Sequence, residues 1–337
     1  MNHLHGKMNP IIATIKASRW QNLLIVALTM VLVRMALIQP FFKILIEDSS
    51  VDFARGMGDL DFTLLVISSL LIAAAGNLIN DYFDIKIDRV NKPDKIIVGR
   101  YLKRRVAMML HLVFNGIAVL IAGYLAYKAG KIELAFIQII LVATLWFYSI
   151  DFKRRLIWGN LSIAFCVALV PIVVWVFEIL TMITVNNELF EEQAAKAIFK
   201  EFSEVTLAWV LGLSLFSFLL TIGREIIKDI VDIKGDLAFH CKSLPIVLGI
   251  QKSKMIASAF HAIVIALAIY VQQVYLPDKG TLFYVFVIIT PLLGAAIVTT
   301  VKAQEPHQFK LPSLLNKLAS LAGVLYLVMV YYILNQF

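Results

Sequence analysis

Two short acidic segments carry the residues best suited to chemistry. One reads NLINDYFDIKID over residues 77–88, the other REIIKDIVDIKGD over residues 224–236. At an offset of 148, Asn80–Asp88 aligns with Lys228–Asp236, and five of the nine positions are identical. This suggests two related halves, each donating one acidic helix end. At about 100° per residue, Asn77, Asn80, Asp81, Asp84 and Asp88 fall on one helix face, and Asp229, Asp232 and Asp236 fall on another. Carboxylates spaced four apart repel one another, so a counter-charge is required. Carboxylates without imidazole or thiol partners suit hard cations, Mg²⁺ above all, which keeps few protein ligands and is completed by phosphate oxygens. Two facing stripes would therefore grip a diphosphate through Mg²⁺. Cations surround them: Lys86, Arg89, Lys92, Lys95 and Arg100 after the first, Arg224, Lys228, Lys234 and Lys242 around the second, and Lys153 and Arg154 in between. Metal and cations together would stabilise the charge on a departing diphosphate, and the allyl cation left behind needs a dry cavity.

The elements that position these groups belong in a bilayer. Of the 337 residues, 60% are hydrophobic and only 16% charged, with mean hydropathy +0.83. A soluble domain carries roughly 25% charged residues, so an ordinary water-soluble globule is excluded. A spanning helix needs roughly 20 apolar residues. Nine runs qualify, at 20–42, 61–80, 105–127, 132–148, 160–183, 205–223, 253–273, 281–301 and 314–335, the eighth with a tolerated kink at Pro291. Residues 1–19 lack the apolar core of a cleavable signal. The expected fold is all-α, a multi-pass membrane protein of about nine helices. Its organisation is an N-terminal cytosolic segment, 1–19, followed by one membrane domain, 20–337.

Lys and Arg fix the expected orientation. With the N-terminus on side one, that side holds 23 of the 31, and the other side holds 7. This bias places the N-terminus and both acidic segments on the cytosolic side of the cell's inner membrane. The net charge of +8 is thereby explained by topology and anionic lipid headgroups, not by nucleic acid. The polar stretch 186–205 falls on the outer side. Its Ala195, Ile198, Phe199 and Phe202 recur at helical spacing, which predicts an amphipathic helix lying on the membrane surface.

These motifs resemble the UbiA superfamily of intramembrane prenyltransferases along nearly the whole chain. Asn80, Asp81, Asp84 and Asp88 match the first family motif, and Asp232 and Asp236, with Asp229 a turn earlier, match the second. Tyr148, Lys153, Arg154, Gly159 and Asn160 resemble the middle signature, and Lys242-Ser243-Leu244-Pro245 the tail. Arg19 and Asn22 resemble the family's start. The resemblance implies nine helices in a ring around a cavity. It also implies transfer of a polyprenyl group from its diphosphate to a lipophilic acceptor, with Mg²⁺ as cofactor and membrane lipids as surroundings. Asn80, Asp84 and Asp88 would hold one metal cluster, and Asp232 and Asp236 the other. Asp81 and Asp229 would support them. Tyr148 and Lys153 would meet the diphosphate, with Arg154 and Lys228 as further substrate cations. Arg19 and Asn22 would lie at the acceptor end. The run 224–236 looks most like the branch that makes digeranylgeranylglyceryl phosphate, whose acceptor is a glyceryl phosphate ether. Alternatives are an aromatic acceptor of quinone or chlorophyll-type synthesis and, outside enzymes, an ion-coupled transporter. One departure is Asn91-Lys92-Pro93-Asp94-Lys95, where the family often carries Arg in place of both lysines.

Other polar residues have plainer readings. Arg34 within the first span is either functional or snorkelling to the interface. His111 and His261 are expected to be packed, and Cys166 to be apolar filling.

Overall fold

A computed structural model describes residues 8–49 and 51–335; residues 1–7, the beginning of the expected N-terminal segment, lie outside them. Among the described residues, a short helix α1 (Pro10–Ala17) leads into nine helices long and apolar enough to cross a membrane. They are α2 (Trp20–Glu47), α3 (Asp59–Asn91), α4 (Arg104–Lys128), α5 (Ile132–Ile150), α6 (Trp158–Val185), α7 (Gln193–Ala238), α8 (Ile250–Val274), α9 (Lys279–Lys302) and α10 (Pro306–Leu334). Short connections turn each helix back antiparallel to the one before. No β-strand occurs among the described residues. The helices form a multi-pass membrane ring, α3 on α4 and α5, α6 on α7, α7 on α8, and α8 on α9, and α10 closes it against α2. The helical hydrogen-bond ladder satisfies the backbone where lipid cannot.

The spans are longer than the apolar runs alone predict. The helix α3 does not stop at residue 80 but continues to Asn91, so the first acidic stripe is helical along its whole length. Pro291 follows a π-helical turn, Tyr284–Ile289, which accommodates the backbone where proline has no N–H to donate.

The expected surface helix in 186–205 is corrected. Residues from Gln193 onward are the first turns of α7, a single helix of 46 residues. Its apolar face packs on the protein, not on lipid. Ala195, Phe199 and Phe202 are buried, Phe202 meets Phe42 at 6.1 Å, and Phe199 meets Phe53 and Phe190 at 6.0 and 4.9 Å. An amphipathic pattern reports only that an apolar face is covered, and here α2 and the 51–58 connection cover it.

Arg34 does not snorkel but is held within the protein. It lies in a π-helical turn of α2 at the end of the bundle remote from the acidic stripes. Its Nε donates to Glu178 of α6 at 2.5 Å, its Nη1 to Asp59 at 2.9 Å and its Nη2 to the Met57 carbonyl at 2.5 Å. Arg34 and Glu178 are both buried, so each charge depends on the other.

Inside the ring is an apolar cavity of about 620 Å³, lined from α2, α6, α7, α8, α9 and α10. On α7 its wall runs from Ala208 to Leu220, about 18 Å of helix axis. It ends one turn short of Arg224.

Candidate active site

Both acidic stripes lie on helices that run toward the same end of the bundle and pack on each other, α3 and α7. Asp88 lies in the field of Asp84, Lys92 and Asp232. Asp236 lies in the field of Asp232, Asp84 and Lys153. The two stripes thus face one another.

Lysines occupy the gap. Lys153, in a 3-10 turn between α5 and α6, places its ammonium against the Asp84 carboxylate and 3.4 Å from Asn80 Oδ1. Gly159 makes this approach possible, because a Cβ there would sit 2.8 Å from Lys153 Cα. Lys92 Nζ donates to Asp232 Oδ2 at 2.7 Å, while Asp232 Oδ1 is buried with no partner. The counter-charge demanded by the stripes is therefore present within the chain. Among the described residues no three Asp, Glu, His or Cys side chains converge to hold a metal by themselves.

Sequence reasoning assigned no role to several residues of this site, Asn160 of the middle signature among them. Asn91, the last residue of α3, bridges the stripes. Its Nδ2 donates to the Asp232 carbonyl at 2.9 Å, and its Oδ1 accepts from the Gly235 N–H at 2.7 Å. The same 100° arithmetic puts Asn91 on the stripe, but an early helix end hid it. Asn160 of α6 donates to Asp229 Oδ2 at 3.0 Å. Glu225, a turn before Asp229 on the same face, is buried and binds Lys228 Nζ through both oxygens, at 2.6 and 2.9 Å. Lys228, an expected substrate contact, is thus held by Glu225 instead of projecting alone.

Arg19 stands between α1 and α2 with φ 53°, a left-handed conformation that non-glycine residues seldom adopt. From there its Nη2 reaches Asp81 Oδ1 at 3.0 Å, and Asn77 Nδ2 holds the preceding Ser18 carbonyl at 3.0 Å. Strain of this kind is stored where surrounding structure over-determines it. Tyr148 lies in the fields of Glu225, Asp84, Asp229 and Arg19. Asn22 shares the first turn of α2 but bonds to neither stripe. Arg154 is exposed at the mouth, and its carbonyl accepts from the Lys242 N–H at 2.8 Å, tying the Lys153 turn to the loop after α7. In that loop Cys241 is buried. Burial, reinforced by Asp236, pushes its thiol above the ordinary range.

Facing carboxylate stripes with lysine counter-charges, opening above an apolar intramembrane chamber, define a membrane enzyme for an amphiphile with an anionic head. The chain belongs to the UbiA prenyltransferase family, whose profile matches residues 53–333. The family is one of prenyltransferases, and the transporter alternative finds no support in it. The chain's curated relatives include digeranylgeranylglyceryl phosphate synthases. The one from Methanothermobacter thermautotrophicus is 30% identical over 61% of this chain and 63% of its own length. The one from Pyrococcus abyssi is 28% identical over 72% of this chain and 75% of its own length. The chain thus matches just under two thirds of the first of these relatives. Among solved structures, one described as digeranylgeranylglyceryl phosphate synthase in membranes shares the fold at TM-score 0.59 and 21% identity, over 96% of this chain and 100% of the other. A UbiA homologue from Aeropyrum pernix gives 0.55 and 16%, over 95% and 98%.

Proposed function

We propose that the chain transfers a geranylgeranyl group from its diphosphate to the free hydroxyl of geranylgeranylglyceryl phosphate, in ether-lipid synthesis, with Mg²⁺ as cofactor. The observation that carries this reading is the pair of facing stripes, with Lys153 on Asp84 and Lys92 on Asp232. The names of the curated relatives support the acceptor. A UbiA homologue from Archaeoglobus fulgidus solved with GPP and Mg²⁺ supports the donor class and the metal.

The residues present fit the metal. Asp232 Oδ1 is a buried oxygen without a partner, and the donor set is carboxylate and amide oxygen, as a hard cation requires. Asn80, Asp84 and Asp88 would hold one cluster and Asp232 and Asp236 the other, with Asp81 and Asp229 held ready by Arg19 and Asn160. Bound Mg²⁺ supplies Lewis-acid stabilisation of charge developing on the diphosphate. Lys153 and Lys92 leave their carboxylates and donate to the diphosphate oxygens. Tyr148 contacts the diphosphate between the stripes. The allylic C–O bond breaks with its electron pair going to the diphosphate. The acceptor oxygen then forms the new C–O bond, and its proton passes to the released diphosphate. The apolar chamber holds the isoprenoid chain and keeps water from the allyl cation. The site opens to the cytosolic side of the cell membrane, and the first turns of α7 lie on the outer side.

The test uses labelled geranylgeranyl diphosphate and Mg²⁺ with the protein in nanodiscs. Geranylgeranylglyceryl phosphate, 4-hydroxybenzoate and a naphthoate are offered in parallel. Product with the glyceryl phosphate alone, abolished by EDTA and absent in Asp84→Ala and Asp232→Ala, is expected. Product only with an aromatic acceptor would overturn the ether-lipid assignment. Full activity in either Asp variant would overturn the two-cluster mechanism.

A further inference from the structure

Four cations converge one to two turns deeper than Asp232 of the second stripe. Arg224 and Lys228 precede Asp232 on α7 by eight and four residues, about 12 and 6 Å along the axis. Lys228 lies in the fields of Glu225, Arg224 and Arg19, and Lys317 of α10 lies in the field of Arg224. Arg19 in turn lies in the fields of Asp81, Tyr148 and Glu225. Against these four cations stand the nearby carboxylates Glu225, Asp81 and Asp229, the last in the field of Lys228 and held by Asn160. Glu225 is used by Lys228 and, at 3.6 Å, by Arg224 Nη1; Asp81 is used by Arg19. One positive charge is left over. Arg224 Nε is buried with no hydrogen-bond partner. A buried donor left unmade is costly, so its persistence points to a missing acceptor.

The position tells what the acceptor is. The cluster lies between the stripes and the apolar cavity, whose wall begins at Leu220 and Phe216, one and two turns below Arg224. The carboxylate stripes and their lysines answer the charge of one anionic head at the mouth. A second anion here needs its own cations and a tail directed into the same chamber. We propose that Arg224, Lys228 and Arg19 form a separate anion subsite for the phosphate monoester of the isoprenoid acceptor. This deepens the acceptor reading above and rests on it. The guanidinium fork of Arg224 is suited to phosphate oxygens. Lys228, already anchored by Glu225, supplies a fixed point charge beside it.

The experiment compares geranylgeranylglyceryl phosphate with its dephosphorylated alcohol, geranylgeranylglycerol. Binding to the donor-free protein in nanodiscs and kcat/KM are measured for each. Wild type is expected to prefer the phosphate by about 100-fold in both readouts. Arg224→Met should cut that preference at least ten-fold through acceptor Kd and KM, leaving donor KM within two-fold, and Arg224→Lys should recover part of it. Lys228→Met should act in the same direction. Equal losses with both acceptors, or a preference unchanged in both variants, would overturn the subsite, because a structural ion-pair network does not read the phosphate. Wild type that binds the phosphate tightly and selectively but does not prenylate it would leave the subsite standing and sink the acceptor reading. Wild type that binds neither ligand would overturn the subsite.

Discussion

Gly235→Ala is expected to disable the enzyme without unfolding it. A Cβ at Gly235 would sit 2.4 Å from Asn91 Nδ2, 2.6 Å from its Cγ and 2.7 Å from its Oδ1. Ordinary contact begins at 3.4 Å, so α3 and α7 must part by about 1 Å or the Asn91 amide must leave. Either way both amide hydrogen bonds are lost, to the Asp232 carbonyl and from the Gly235 N–H. Those bonds are worth about 1 kcal/mol each, little beside the packing of two long helices. The same 1 Å, however, falls between the two stripes, and a misplacement of that size costs about 100-fold in rate. Turnover of labelled geranylgeranyl diphosphate should fall about 100-fold, while gel filtration and thermal unfolding change little. Asn91→Ala removes the bridge without a clash and should cost about 10-fold. In the double variant the added methyl has nothing to strike, so its activity should match Asn91→Ala alone, a strongly non-additive pair. Gly235→Ala with activity within three-fold of wild type would refute the reasoning. So would a double variant showing the product of the two single losses.

Two further perturbations probe a remote ion pair and the loop beside the second stripe. Arg34→Met leaves Glu178 buried and unpaired and should lower stability by about 3–5 kcal/mol, while Arg34→Met/Glu178→Met recovers most of it. Thermal unfolding in detergent checks this, and unaltered donor binding would confirm that the remote pair is structural. Cys241 is buried, with its thiol raised by burial and by Asp236. Its thiolate fraction at neutral pH is therefore smaller than that of a free cysteine and grows only as pH climbs past the ordinary thiol range. Maleimide labelling should be slow at pH 7.5 and accelerate with alkali, and fast labelling at pH 7.5 would contradict the burial.

Much of this molecule was legible in its residues. Nine apolar runs dictate nine helices, because lipid leaves the backbone no other way to satisfy its hydrogen bonds. The period of 3.6 residues put Asp84 and Asp88 on one face and Asp232 and Asp236 on another, and like charges on one face demanded a counter-charge. Local pattern could say no more than that a face is covered or a charge compensated, and the partners are long-range. The face of Phe199 and Phe202 reads the same whether lipid or Phe42 and Phe53 cover it. Arg34 reads the same whether it snorkels or meets Glu178, 144 residues away. Which lysine answers which aspartate, and that Asn91 fixes the distance between the stripes across 144 residues of sequence, was decided by packing α3 against α7. Spacing along one helix sets the angle of a side chain, whereas the gap between two helices is set by the side chains that meet across it.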